Sequence, residues 1–91
     1  MQYVVCYDVS DDLRRSHLAR ALLDFGQRVQ ESVFVANLDD ELADRMRQRI
    51  QKLIHTDVDR VHVFRLCKQC VDGTEVFGEG GVPEDPDFYV I

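Results

Sequence analysis

Residues 28–38 read RVQESVFVANL, and the way this run divides decides the fold. It is β-branched and aromatic, with Val29, Val33 and Val35 on one phase of a period-two pattern and Phe34 and Ala36 on the other. Taken as one long strand, it leaves the chain with the order β-α-β-α-β. Bent near Glu31 and Ser32, it holds a very short strand and a longer one, and the order becomes the β-α-β-β-α-β of a ferredoxin-like α+β sandwich. The pattern alone admits both divisions, and the ferredoxin-like one is the expectation carried forward.

Upstream, residues 3–9 (YVVCYDV) alternate as a strand, with Tyr3, Val5, Tyr7 and Val9 facing one way and Val4, Cys6 and Asp8 the other. Both faces are apolar until Asp8, so cover is expected on both sides. Ser10 is placed to cap a helix whose first turn holds Asp11 and Asp12, where the helix dipole favours acids. That helix should run to about Phe25, bury Leu18, Ala21, Leu22 and Phe25, and close at Gly26. Downstream, Asp39 or Asp40 caps a second helix to about Ile54, with Leu42, Met46, Ile50 and Leu53 as its stripe. Residues 61–66 (VHVFRL) are a third clear strand. Two helices cover only one sheet face. The apolar residues left on the other predict a two-fold homodimer packed sheet on sheet.

The 91 residues suit one domain, with a core over 1–70 and an acidic C-terminal arm over 71–91. The net charge of −6 comes from that arm, because residues 1–70 hold 11 acidic and 11 basic side chains while the arm holds 6 acids and no Lys or Arg. A locally basic face therefore stays open to phosphate despite the acidic total. The arm is rich in Gly and Pro, its GEGG stretch reads as a hinge, and residues 88–91 are expected as an extra short strand. Three cysteines without a scaffold spacing, no apolar run of membrane length and no signal-peptide layout predict a cytoplasmic protein with no membrane partner.

Asp8 ends an apolar strand just before a helix, at the kind of strand edge where α/β sites form. It reads either as a ligand for a hard cation, Mg²⁺ or Mn²⁺, or as a turn carboxylate supporting the helix start. Arg14, Arg15, Arg20 and Arg28 read either as a phosphate-contacting strip or as a solvated face with surface ion pairs. Arg45, Arg47, Arg49 and Lys52 read as a solvated face. Cys67-Lys68-Gln69-Cys70 has zinc and redox spacing, but no second pair completes four zinc ligands. A thioredoxin-like pair would open a helix, whereas this one ends a strand, so partly buried thiols are expected. His17, His55 and His62 suggest no triad, and His62 shares a strand phase with Phe64 and Leu66, so a packed or interfacial histidine is expected.

Tyr7-Asp8-Val9, then Arg14-Arg15 with Leu18, then Gly26-x-Arg28-Val29-Gln30-x-Ser32-Val33-Phe34, and residues 59–66 followed by Cys67-x-x-Cys70 form an ordered set. The set resembles the CRISPR-associated protein two family, the small partner of the CRISPR spacer integrase, over essentially the whole chain. The resemblance implies a ferredoxin-like homodimer whose C-terminal strand packs on the partner subunit's sheet, and in which the two Asp8 carboxylates meet across the two-fold and share a Mg²⁺ (or Mn²⁺). It implies active-site roles for Tyr7, Asp8, Arg15, Arg28 and Phe34, while nucleic-acid contacts from Arg14, Arg15, Arg20 and Arg28 rest on the reading of the residues themselves. Its function would be CRISPR adaptation, the homodimer bridging the integrase of the CRISPR-associated protein one family and holding duplex DNA. Metal-dependent cleavage of single-stranded RNA or double-stranded DNA is one reading, and a purely architectural module is the other. The acid-rich arm departs from the pattern and argues against binding through the whole surface. An RNA-recognition module is disfavoured because the Lys/Arg-Gly-aromatic strand motif is missing. A small-molecule-sensing regulatory domain is the remaining class, and it would be expected to lose a pocket, not nucleic-acid binding, when Arg14 and Arg15 are changed.

Overall fold

In the computed structural model, which describes residues 1–78, strands β1 (Gln2–Asp8), β2 (Gln27–Gln30), β3 (Val33–Asn37) and β4 (Arg60–Leu66) alternate with helices α1 (Asp12–Leu22), α2 (Asp40–Leu53) and α3 (Lys68–Asp72). The run at 28–38 does divide at Glu31 and Ser32. The turn there is tied to the neighbouring strand: the Tyr7 amide donates to the Ser32 carbonyl at 3.1 Å and the Tyr7 hydroxyl to the Glu31 carbonyl at 3.2 Å. A register shift between Arg28 and Gln30 kinks the short strand β2 as it enters the turn. All pairings are antiparallel in the order β2-β3-β1-β4, which is the ferredoxin-like sheet.

The helices pack on one face. Tyr3, Val5, Tyr7 and Val9 meet Phe34 and Ala36 from β3, Leu18 and Leu22 from α1, and Ala43, Met46 and Ile50 from α2 in one core. Full burial of a side chain such as Leu18, Phe34 or Met46 contributes about 1.5–3 kcal/mol. The opposite face carries Val4, Cys6, Val33 and Val35, all half-buried, beside Phe64, which is 52% exposed and stacks on His62 with ring centroids 6.0 Å apart. The apolar second face expected from the sequence is therefore present, although His62 itself is exposed.

Local details differ from expectation. Asp11, not Ser10, caps α1: its carboxylate accepts the Arg14 amide at 2.9 Å, reaching the orphan donor of the first turn. The helix ends at Leu22, ahead of Phe25, and Gly26 does not close it through a left-handed backbone, since Gly78 is the only positive-φ residue among those described. Gly26 is required for another reason. A Cβ there would run into the Val35 carbonyl oxygen and lie 2.8 Å from the Ala36 Cβ, so β2 could not approach β3. In α2, capped by Asp39, the buried stripe is Ala43, Met46 and Ile50, while Leu42 lies one position off that face and is exposed. The short α3 spans residue 70, where the core was expected to end, and the strand expected at 88–91 lies outside the described residues.

Candidate functional site

At the end of β1 the chain turns abruptly into α1, and the turn forms one wall of a cleft of about 450 Å³. Tyr7, Asp8, Val9 and Ser10 from that turn, Asp12, Arg15 and Ser16 from α1, and Arg28, Glu31 and Ser32 from the β2–β3 hairpin line it. The sequence-nominated Tyr7, Asp8, Arg15 and Arg28 thus come together, from positions up to 21 residues apart. Asp8 is exposed, because strand alternation turns it away from the core that Tyr7 enters. Across the β1–β4 ladder it stands opposite Arg60, a cation beside the carboxylate that motif reading overlooked and only strand register reveals.

Each other member is held by a distinct partner. Arg15 donates to the Val9 carbonyl at 2.9 Å and the Ser10 carbonyl at 3.3 Å, and pairs with Asp12, so it braces the loop that follows Asp8. Arg28 reaches the Tyr7 hydroxyl at 3.4 Å while its guanidinium lies 5.3 Å from the centroid of the Phe34 ring. Phe34 is buried and stacks with Tyr7 at 6.1 Å, so it supports the site from beneath and does not line the cleft.

Arg14 and Arg20 lie elsewhere. Arg14 makes a two-pronged contact with Asp59, Nε to Oδ2 at 2.8 Å and Nη2 to Oδ1 at 3.1 Å, and Asp59 also accepts the His55 amide at 2.7 Å. The Asp59 side chain is fully buried, and its carboxyl is held below the ordinary range chiefly by the Arg14 hydrogen bond and then by the His55 amide. Arg14 is raised in turn, again chiefly by the hydrogen bond to Asp59. Sequence reading placed Asp59 only at the start of the 59–66 segment and missed its pairing, since Arg14 lies 45 residues away and follows no local spacing. Arg20 lines a separate hollow with His17, Asp24 and Arg49, where Arg49 pairs with Asp24 at 3.3 Å.

As a metal site the cleft is right in kind and short in number. Its carboxylate and hydroxyl donors are all oxygen, which suits a hard cation. Among the described residues, however, no group of three or more His, Cys, Asp or Glu side chains is arranged around a metal position.

The cysteine pair departs from expectation. Cys67 is the N-cap residue of α3, so the Cys-x-x-Cys segment opens a helix after all, and both thiols are exposed instead of partly buried.

Comparison with known proteins adds five findings. Residues 1–73 match the family described as CRISPR associated protein Cas2. A CRISPR-associated endoribonuclease Cas2 from Chloroflexus aurantiacus is 40% identical over 93 residues, covering 100% of both chains. A CRISPR-associated endonuclease Cas2 from Thermus thermophilus is 39% identical over 82 residues, covering 90% of this chain and 87% of its own. Among solved structures, Streptococcus pyogenes Cas2 superposes with a TM-score of 0.77 at 29% identity, over 86% of this chain and 100% of its own. A chain of a partial Cas6-RT-Cas1–Cas2 complex does so with a TM-score of 0.62 at 26% identity, over 82% and 88%.

Proposed function

The chain belongs to the CRISPR-associated Cas2 family, and from that premise we propose that it acts in CRISPR adaptation as a homodimer that bridges the spacer integrase, holds duplex DNA and cleaves phosphodiesters with a divalent cation. Relatives named as endoribonuclease and endonuclease, and a structural neighbour drawn from a Cas1–Cas2 complex, support the reading. The observation that carries it is the exposed carboxylate of Asp8 on a cleft that also presents Arg15 and Arg28.

In this proposal Asp8 and its copy in the partner would hold a Mg²⁺ or Mn²⁺. Two carboxylates brought close repel, and a shared cation removes that penalty. The bound ion would supply a water acidified for attack on phosphorus. Arg15 and Arg28 offset charge on the phosphate, with Tyr7 and Phe34 fixing the direction of the Arg28 guanidinium. Arg14 and Arg20 extend the contact along a duplex backbone, which positions the nucleic acid without reading its sequence. Because Arg14 shares its guanidinium with Asp59, its share of that contact is the smaller. Single-stranded RNA and double-stranded DNA both present the backbone this cleft would address.

The architectural reading rests on one observation, the shortage of grouped metal ligands among the described residues of a single chain. Wild type and Asp8→Asn, compared for cleavage of both substrates with Mg²⁺, Mn²⁺ or EDTA and for assembly with integrase and duplex DNA, separate the two. Metal-dependent cleavage by wild type that vanishes in Asp8→Asn is the expected result. Failure of both proteins to cut, with equal support of integrase–DNA complexes, leaves a scaffold in which Asp8 is structural.

A further inference from the structure

Cys67 and Cys70 stand outside the cleft and take no part in the function proposed above. Their Sγ atoms lie 3.5 Å apart in S–H···S contact, and both side chains are exposed. The turn that carries them is anchored. Val71 is buried, the Val71 amide donates to the Cys67 carbonyl at 3.1 Å, and the Thr74 hydroxyl donates to the Cys70 carbonyl at 3.1 Å. The two thiols are therefore held facing each other on a fixed segment, and closing them to a bond of about 2.05 Å asks only for rotation of two exposed side chains.

From this geometry we propose that Cys67 and Cys70 form a thiol–disulfide exchange site, with Cys67 attacking a small disulfide such as oxidised glutathione and Cys70 resolving the mixed disulfide. The two positions differ in character as those roles require. The Cys70 amide, and then its thiol, stabilise a thiolate on Cys67 and lower its pKa, whereas hydrogen bonding with the Cys67 side chain raises that of Cys70. In the first step the Cys67 thiolate bonds to one sulfur of the small disulfide and the other leaves as a thiolate. In the second, Cys70 gives up its proton and bonds to the Cys67 sulfur, releasing the second small thiol. The protein loses two electrons and two protons, and one small disulfide becomes two thiols. The product ties the cap residue of α3 to the third residue of that helix, directly after β4. Cys6, half-buried on the sheet, is an internal reference with no such neighbour among the described residues.

The test uses the full chain, equilibrated without oxygen in buffers of graded reduced-to-oxidised glutathione ratio, quenched with a thiol alkylator and mapped by peptide mass. The wild type is expected to form an intrachain Cys67–Cys70 disulfide while Cys6 remains alkylated. Cys70→Ser should stall as a glutathione mixed disulfide on Cys67. In time points quenched at neutral pH, Cys67→Ser should form the Cys70 mixed disulfide more slowly than Cys70→Ser forms the Cys67 one. Two free thiols at every ratio, a bridge that involves Cys6 or joins two chains, or equal rates in the two variants would each overturn the proposal. Circular dichroism on both serine variants separates loss of reactivity from loss of fold.

Discussion

Arg14 and Arg15 stand side by side on α1, yet one turns to a buried carboxylate and the other to the open backbone of the β1–α1 loop. Composition treats them alike, because a charge on a helix carries no mark of what it will meet. Asp59 settles Arg14, and its lowered pKa has a consequence with a definite sign. A depressed carboxylate contributes stability that is fully present above its unfolded pKa of about 3.9 and is lost as pH falls through the lower folded value. The raised value of Arg14 lies above its ordinary one, so its part of the pair is unaffected between acid and neutral pH. The urea midpoint of the wild type should therefore drop on going from about pH 6 to about pH 3, and Asp59→Asn should be weaker at pH 6 and change less on acidification. Equal acid sensitivity in the two proteins would remove Asp59 from that role. In the cleft, Arg28→Lys keeps the charge but loses the planar guanidinium over Phe34. Cleavage should fall about 10²-fold, with the thermal midpoint nearly unchanged since Arg28 is exposed.

Among the elements, β2 shows most clearly how one residue decides whether a strand can exist. Gly26→Ala places a methyl group against the backbone of β3 and should push β2 off the sheet, lowering stability by more than the gain of about 0.4–1 kcal/mol seen where alanine fits. Denaturant unfolding and amide exchange at Val35 would report the loss. Phe34→Ala, which empties a fully buried position beneath both Tyr7 and Arg28, should cost about 3–5 kcal/mol and take cleavage with it. Strands β1, β3 and β4 were legible because alternation of apolar residues is a local signal that packing then honours. The hairpin at Glu31 and Ser32 was legible only as an alternative, for its support comes from Tyr7 across the sheet. Helix α3 was not legible at all: its five residues are too few to show a period, and Cys67 is an unusual cap. The cleft was legible where residues cluster in sequence, at Tyr7, Asp8 and Arg15, whereas Arg60 beside Asp8 needed the register of β4.

At the scale of the whole molecule, the apolar outer face of the sheet makes the proposed dimer a testable part of the function. Phe64→Glu replaces an exposed ring there with a charge that the monomer tolerates and an apposed second sheet would not. Mass measured in solution at micromolar concentration should shift from dimer to monomer, and metal-dependent cleavage should disappear with it. A monomeric variant that still cuts would separate catalysis from any shared carboxylate. The strand order has one more effect, on how the protein is made. Of the four strands, β1 is synthesised before the others and occupies the middle of the sheet, between β3 and β4, and β4 follows it by more than fifty residues. At roughly 5–20 residues per second, the ribosome leaves β1 without its second neighbour for about 3–10 s. During that interval its free edge is an open template for other nascent chains, and a chaperone that shields the first ten residues should raise the yield of native protein more than one acting later.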